Sequence, residues 1–191
     1  MNMRIISGDL KGSTLYLPEN KETRPLKDMA RESIFNLLTH SNKFIFKLKD
    51  SKVLDLYAGT GSFGLECLSR GSKKVCFVEK SKNILKILER NIEKLKLKKK
   101  TKIFSNDVSI LIKKKNIFDL KFNLIFCDPP FINKDTESII DIVFNNNILE
   151  NEGIIVLHRN KNSKDKYPNY FKIVDERIYG VSKIIFGKIL F

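Results

Sequence analysis

The sequence predicts an α/β fold, with a mostly parallel sheet that ends in an antiparallel pair of strands. Three observations carry the prediction. From residue 53 onward, apolar strand-like runs alternate with helix-like segments, the rhythm of a parallel sheet. The run at 53–56 turns into a loop with Gly59, Gly61 and Gly64 spaced as G-x-G-x-x-G, followed by a helical pattern. The last two strand-like runs are joined at Gly180 by a connection too short for a parallel crossover.

Taken in order, residues 1–20 hold short alternating segments with turn signals at Gly8, Gly12 and Pro18, expected to form a hairpin or arm that carries little core. After Arg24-Pro25, the interval 28–38 predicts an amphipathic helix with Met29, Ile34, Leu37 and Leu38 on its apolar face. A softer stretch, 39–51, leads into the strand before the glycine loop. Beyond the loop, strands are expected near 74–78, 102–104, 123–127 and 154–157, and helices near 82–95, 108–114 and 135–144; the closing strands follow from Phe171. The division expected is an N-terminal arm and helix, 1–45, on a core of 46–191, in one structural domain.

The 191 residues are 42% hydrophobic, enough for one substantial core. A net charge of +14 points to a polyanionic partner, most commonly nucleic acid. Of 36 basic residues 29 are Lys, and Ile and Asn are abundant too, so part of the charge reads as compositional bias. The run KLKLKKKTK at 94–102, with Lys73, Lys74 and Lys113–Lys115, falls at the sheet end opposite the glycine loop, where solubility and the helix C-terminal dipole are the expected reading and distant RNA contacts the alternative. Cys67, Cys76 and Cys127 form no disulfide framework, so a cytoplasmic location is expected. His40 and His158 stand isolated, so no metal is expected; no apolar run is long enough for a membrane.

Several polar residues fall at the predicted loop edge. Asp55, just before the loop, would repel a pyrophosphate and attract a cationic ligand such as the methionine end of S-adenosylmethionine. Glu79 ends the second strand, 20 residues after Gly59, where a carboxylate meets ribose hydroxyls. Asn106 and Asp107 end the third strand, either as acceptors for an adenine amino group or as a turn and helix cap. Asp128-Pro129-Pro130-Phe131 follows the fourth strand as a stiff turn of acceptors. The Asp128 carboxylate and Pro129 carbonyl could accept from one exocyclic NH₂ while Phe131 stacks on the base, which suits methyl transfer to a nucleobase amine. Cys127 continues an apolar run and is rejected as a nucleophile. An adenine-N6 methyltransferase and a non-catalytic RNA-binding assembly factor also fit these residues. A nicotinamide dehydrogenase leaves the double-proline turn unexplained.

With LDLYAGTGSFGLE and CDPPF, the segments RIISGDLKG, RPLKDMARESIFNLL and IYGVSKIIFGK make the chain resemble, almost end to end, the RsmD family of bacterial 16S ribosomal RNA guanine-N2 methyltransferases. The resemblance implies a Rossmann-like class I methyltransferase with a seven-stranded sheet and antiparallel terminal hairpin. It implies S-adenosylmethionine as cofactor and 16S ribosomal RNA or the small-subunit particle as partner. The cofactor set expected is Asp55, Tyr57, Gly59, Thr60, Gly61, Glu79, Lys80, Asn106 and Asp107, with Asp128–Phe131 at the target base. Arg24, Lys27 and Arg31 of the arm, and Lys134, Arg159 and Lys161 of the upper edge, are expected to hold RNA phosphates. A monomer is expected. Leu26 stands where a small polar residue is expected, and His158-Arg159 where an acidic residue is frequent. Guanine specificity rests on the resemblance alone.

Overall fold

The computed structural model describes residues 3–19, 28–114, 116–130 and 136–190. Two short strands, β1 (Met3–Arg4) and β2 (Thr14–Leu15), pair antiparallel, and α1 (Asp28–His40) follows the arm. The main elements are then β3 (Lys52–Leu56), α2 (Ser62–Ser69), β4 (Lys74–Glu79), α3 (Lys82–Lys94), β5 (Thr101–Ser105), α4 (Val108–Leu111), β6 (Phe122–Cys127), α5 (Thr136–Asn145), β7 (Leu149–Asn160), β8 (Phe171–Tyr179) and β9 (Ser182–Ile189). The seven-stranded sheet has the order β5-β4-β3-β6-β7-β9-β8. Strands β3 to β7 run parallel, and β9 is antiparallel to both neighbours, so β8 takes the edge. The fold is the Rossmann-like methyltransferase arrangement expected.

Alternation along the strands builds two apolar layers. Val53, Val75, Phe77, Leu124, Phe126 and Val156 pack on the side of α1, α2 and α3. Leu54, Leu56, Val78, Ile125 and Leu157 pack on the side of α4 and α5. Phe63 of α2 stacks on Phe126 at 3.8 Å between centroids and on Phe35 of α1 at 5.1 Å.

Four expectations need correction. The inward face of α1 is Ala30, Arg31, Ile34, Phe35 and Leu38, and Met29 is 64% exposed. The arm contributes more core than expected: Met3, Ile5 and Leu15 are buried in the same apolar layer as α1 and α2. Helix α4 stops at Leu111, and β7 is 12 residues long, beginning at Leu149 rather than at 154.

Candidate active site

Parallel order brings the C-terminal ends of β3 to β7 to one sheet edge, the usual ligand crevice of such folds. The loop between β3 and α2 forms its floor. Gly59 has φ 56°, and a Cβ added there would meet nothing within 4 Å, leaving backbone open to a ligand. Gly61 has φ 83°, and a Cβ there would lie 2.4 Å from Leu88 Cδ1. Gly64 serves packing, because its Cβ would lie 2.4 Å from Phe77 Cε1. Tyr57 also adopts a positive φ, 61°, which is a strained backbone for a side chain of this size. Thr60 is buried, and its carbonyl accepts from Asn91 Nδ2 at 3.0 Å.

The acidic residues divide their tasks. Asp55 is 1% exposed, and its Oδ2 accepts from the Gly64 N–H at 3.0 Å. It anchors the first turn of α2, whose N-cap Gly61 has no side chain to do so, and offers no surface for direct contact with a ligand cation. Burial pushes the Asp55 pKa well up, and the charges of Asp128 and Glu79 push the same way, against the Gly64 hydrogen bond. Glu79 and Asp128 thus favour positive charge at this edge and disfavour a pyrophosphate, while burial suppresses the charge of Asp55. Glu79 Oε2 accepts from Gly59 N at 2.9 Å and its Oε1 from the N–H groups of Lys80 and Ser81, also at 2.9 Å. Oε1 is thereby filled, and Oε2 keeps one lone-pair site for a ribose hydroxyl.

Asn106 and Asp107 stand at the end of β5. Asp107 Oδ1 caps α4 through Ser109 N at 2.9 Å and Ser109 Oγ at 2.7 Å, while its Oδ2 pairs with Lys80 Nζ at 3.0 Å. The Ser109 hydroxyl, then Lys80, hold its pKa below the usual carboxylate range. The capping alternative is therefore realised, and the Lys80 ammonium is turned to Asp107. Asn106 N donates to the Glu79 carbonyl at 3.1 Å, binding the two strand ends together. Among the described residues, no group of His, Cys, Asp and Glu could hold a metal ion.

Asp128 leaves β6 beside the start of the glycine loop, its N–H reaching the Leu56 carbonyl at 3.4 Å. Its Oδ1 is bonded to His158 Nδ1 at 2.7 Å. Pro129 is buried and Pro130 exposed. Cys127 is fully buried, and burial pushes its thiol up, as a strand residue rather than a nucleophile. Phe131, Lys134, Arg24, Lys27 and Leu26 lie outside the described residues.

Two expected phosphate contacts are corrected. Arg31 is 0% exposed; its Nη2 donates to the Arg4 carbonyl at 2.6 Å and to Asp28 at 3.0 Å. Arg159 is 1% exposed and grips Asp165 through Nε at 3.1 Å and Nη2 at 2.9 Å. Both guanidinium groups join chain segments inside the protein instead of facing a phosphate. Lys161 is exposed at the end of β7, on the crevice edge.

The sequence reading missed the polar groups that fasten the arm. Glu66 of α2, fully buried, accepts from Ile6 N at 2.7 Å, Ser7 N at 2.9 Å and Arg70 Nε at 2.7 Å. Asn91 of α3 accepts from Tyr16 N at 2.7 Å while holding the Thr60 carbonyl. The available signal was a Glu and an Asn at positions where the helical period demands apolar side chains.

The chain matches the family model described as conserved hypothetical protein 95 over residues 3–188. It is 30% identical over 179 residues to ribosomal RNA small subunit methyltransferase D of Haemophilus influenzae, covering 94% of this chain and 90% of the relative. It is also 30% identical over 179 residues to the protein of that name in Escherichia coli K12, covering 93% of this chain and 85% of the relative. Among solved structures, the Escherichia coli protein yhhF superposes with a TM-score of 0.84 at 25% identity, across 99% of this chain and 98% of its own.

Proposed function

Because this chain belongs to the RsmD family, we propose that it transfers a methyl group from S-adenosylmethionine to the exocyclic N2 amine of a guanine in 16S ribosomal RNA. The observation that carries the reading is Asp128. Its backbone N–H reaches the Leu56 carbonyl, where the loop that carries Gly59 begins, with Oδ1 held by His158 and no donor on Oδ2 among the described residues. A nucleobase amine is a weak nucleophile whose lone pair is delocalised into the ring. Two acceptors, Asp128 Oδ2 and the Pro129 carbonyl, draw its hydrogens into their own plane and free the lone pair for in-line attack. The double proline supplies rigidity without competing N–H donors.

The cofactor supplies a methyl already activated on a sulfonium. On the protein side, Gly59 gives backbone access, Glu79 meets the ribose, and the buried Asp55 stabilises positive charge while shaping the loop. Asn106 and Asp107 border the adenine, and Tyr57, Thr60, Gly61 and Lys80 complete the cofactor wall. The proton released by the methylated amine passes to Asp128 or to water. Phe131 stacks on the flipped base, because an enzyme acting on a base edge needs it out of the helix. Arg24, Lys27, Lys134 and Lys161 hold the RNA backbone.

The test is transfer of labelled methyl from S-adenosylmethionine to 16S RNA and to small-subunit particles, with wild type and Asp128→Ala, followed by nucleoside analysis. N2-methylguanosine is expected, with Asp128→Ala lowering turnover by about 10²–10³-fold. N6-methyladenosine would redirect the assignment to adenine, and cofactor binding without transfer to either RNA form would leave the acceptor elsewhere.

A further inference from the structure

Asp128 does not stand alone at the end of β6. The β6–β7 register pairs Cys127 with Leu157, so Asp128 and His158 are neighbours one step further along. His158 Nδ1 lies 2.7 Å from Asp128 Oδ1, and His158 Nε2 lies 2.8 Å from Ser182 Oγ, at the start of β9. This hydrogen-bonded series spans three strands, and His158 is 5% exposed. A carboxylate can only accept, so Nδ1 carries a hydrogen and donates it to Asp128, while Nε2 and the Ser182 hydroxyl share the second hydrogen bond. Asp128 and Ser182 thus fix the ring plane of His158 and keep its Nδ1–H on Asp128.

We propose that His158 is a positioning residue for methyl transfer: its Nδ1–H, held in place by Ser182, pins Asp128 Oδ1 so that Oδ2 stays aimed at the incoming amine. The proposal rests on the amine-methylation reading of the site. A free aspartate rotates about χ2, and a carboxylate at the mouth of a crevice samples orientations in which neither oxygen lies in the amine plane. A buried ring held from both sides removes that freedom before substrate arrives, where small displacements are expensive in rate. The order carboxylate, imidazole, hydroxyl is also that of acyl-transfer triads. Here, however, the end bordering the glycine loop is the carboxylate, through the bond from Asp128 N to the Leu56 carbonyl, so the chain serves the carboxylate.

Two isosteres separate positioning from packing. His158→Asn keeps a donor near the Nδ1 position, within reach of Asp128. His158→Gln places its amide near the Nε2 position, within reach of Ser182 only. The expected result is that His158→Gln loses about 10- to 100-fold in kcat, that His158→Asn recovers most of it, and that KM for S-adenosylmethionine stays within about twofold in both. Independently of activity, the chain has two histidines, so ¹⁵N NMR of the imidazoles in the intact protein resolves His158. The Nδ1–H tautomer is expected in wild type and a tautomer mixture in Asp128→Ala. Equal kcat in the Asn and Gln variants, an Nε2–H tautomer, or ring signals indifferent to Asp128→Ala would each overturn the proposal. A wild type that shows the Nδ1–H signature but methylates no RNA would support the hydrogen-bonded chain and count against the guanine assignment instead.

Discussion

An added methyl group meets different surroundings at Gly59 and at Gly64, although the two belong to one motif. At Gly59 the space is open, so Gly59→Ala should cost the fold only the left-handed backbone penalty, roughly 1–2 kcal/mol. S-adenosylmethionine affinity should fall at least about tenfold, or about 1.4 kcal/mol. At Gly64 the methyl collides with Phe77 and Val75, so Gly64→Ala should destabilise the protein by about 1–3 kcal/mol. Calorimetry of unfolding and of cofactor binding measures both; matching profiles for the two variants would defeat the distinction. Asp55 gives a pH signature. Its folded-state pKa is raised, so its contribution is complete below the unfolded value near about 3.9 and is lost as pH rises towards the folded value. Asp55→Asn should therefore match wild type in acid and become increasingly the more stable of the two towards neutrality without cofactor, while binding S-adenosylmethionine more weakly. Melting temperatures across a pH series check the sign. Sequence spacing revealed the glycines and Asp55 as a group, because a loop motif fixes which residues meet. It did not separate ligand-facing from packing glycines, since that depends on what α3 and β4 bring opposite them.

Elements were legible wherever local periodicity and burial agreed. The parallel strands, the long α3 and the terminal pair follow from apolar period and turn length alone. Helix α1 was legible as a helix but not in its facing, because a buried Arg occupies the inward stripe and an exposed Met the outward one. The reason is long-range: Arg31 reaches the Arg4 carbonyl of the arm, a contact no local pattern encodes. The same holds for Glu66, whose carboxylate clamps Ile6 and Ser7 from α2. Glu66→Gln puts an NH₂ against one set of those donors and leaves Arg70 without its anion. A loss of about 3 kcal/mol is expected, with the arm more readily cleaved by protease. Denaturant unfolding and limited proteolysis test it; a loss under about 1 kcal/mol with an unchanged cleavage pattern would mean that apolar burial of Met3, Ile5 and Leu15 suffices to hold the arm.

Across the whole molecule, the densest run of lysines and the chemistry lie at opposite ends of the sheet. The short 3₁₀ helix Lys98–Lys100 follows α3 and enters β5 at the edge away from Asp128, and Lys73 precedes β4 at that same edge. The crevice edge carries Asp55, Glu79 and Asp128, so the net charge of +14 says little about where RNA sits. Counterion release nevertheless makes any lysine a contributor to non-specific affinity, with a salt slope of about −0.7 per phosphate engaged on single-stranded RNA. Replacing Lys98, Lys99 and Lys100 with Ser should leave kcat unchanged and flatten the salt dependence of RNA binding by no more than about one phosphate's worth. Lys161→Glu, on the crevice edge, should raise KM for RNA several-fold at moderate salt while leaving the S-adenosylmethionine KM alone. Binding isotherms at several salt concentrations, with turnover measured alongside, decide the matter. If the triple Ser variant lost more than tenfold in kcat/KM, the RNA would have to span the molecule to the far edge, and the crevice would be reading only one end of a much larger footprint.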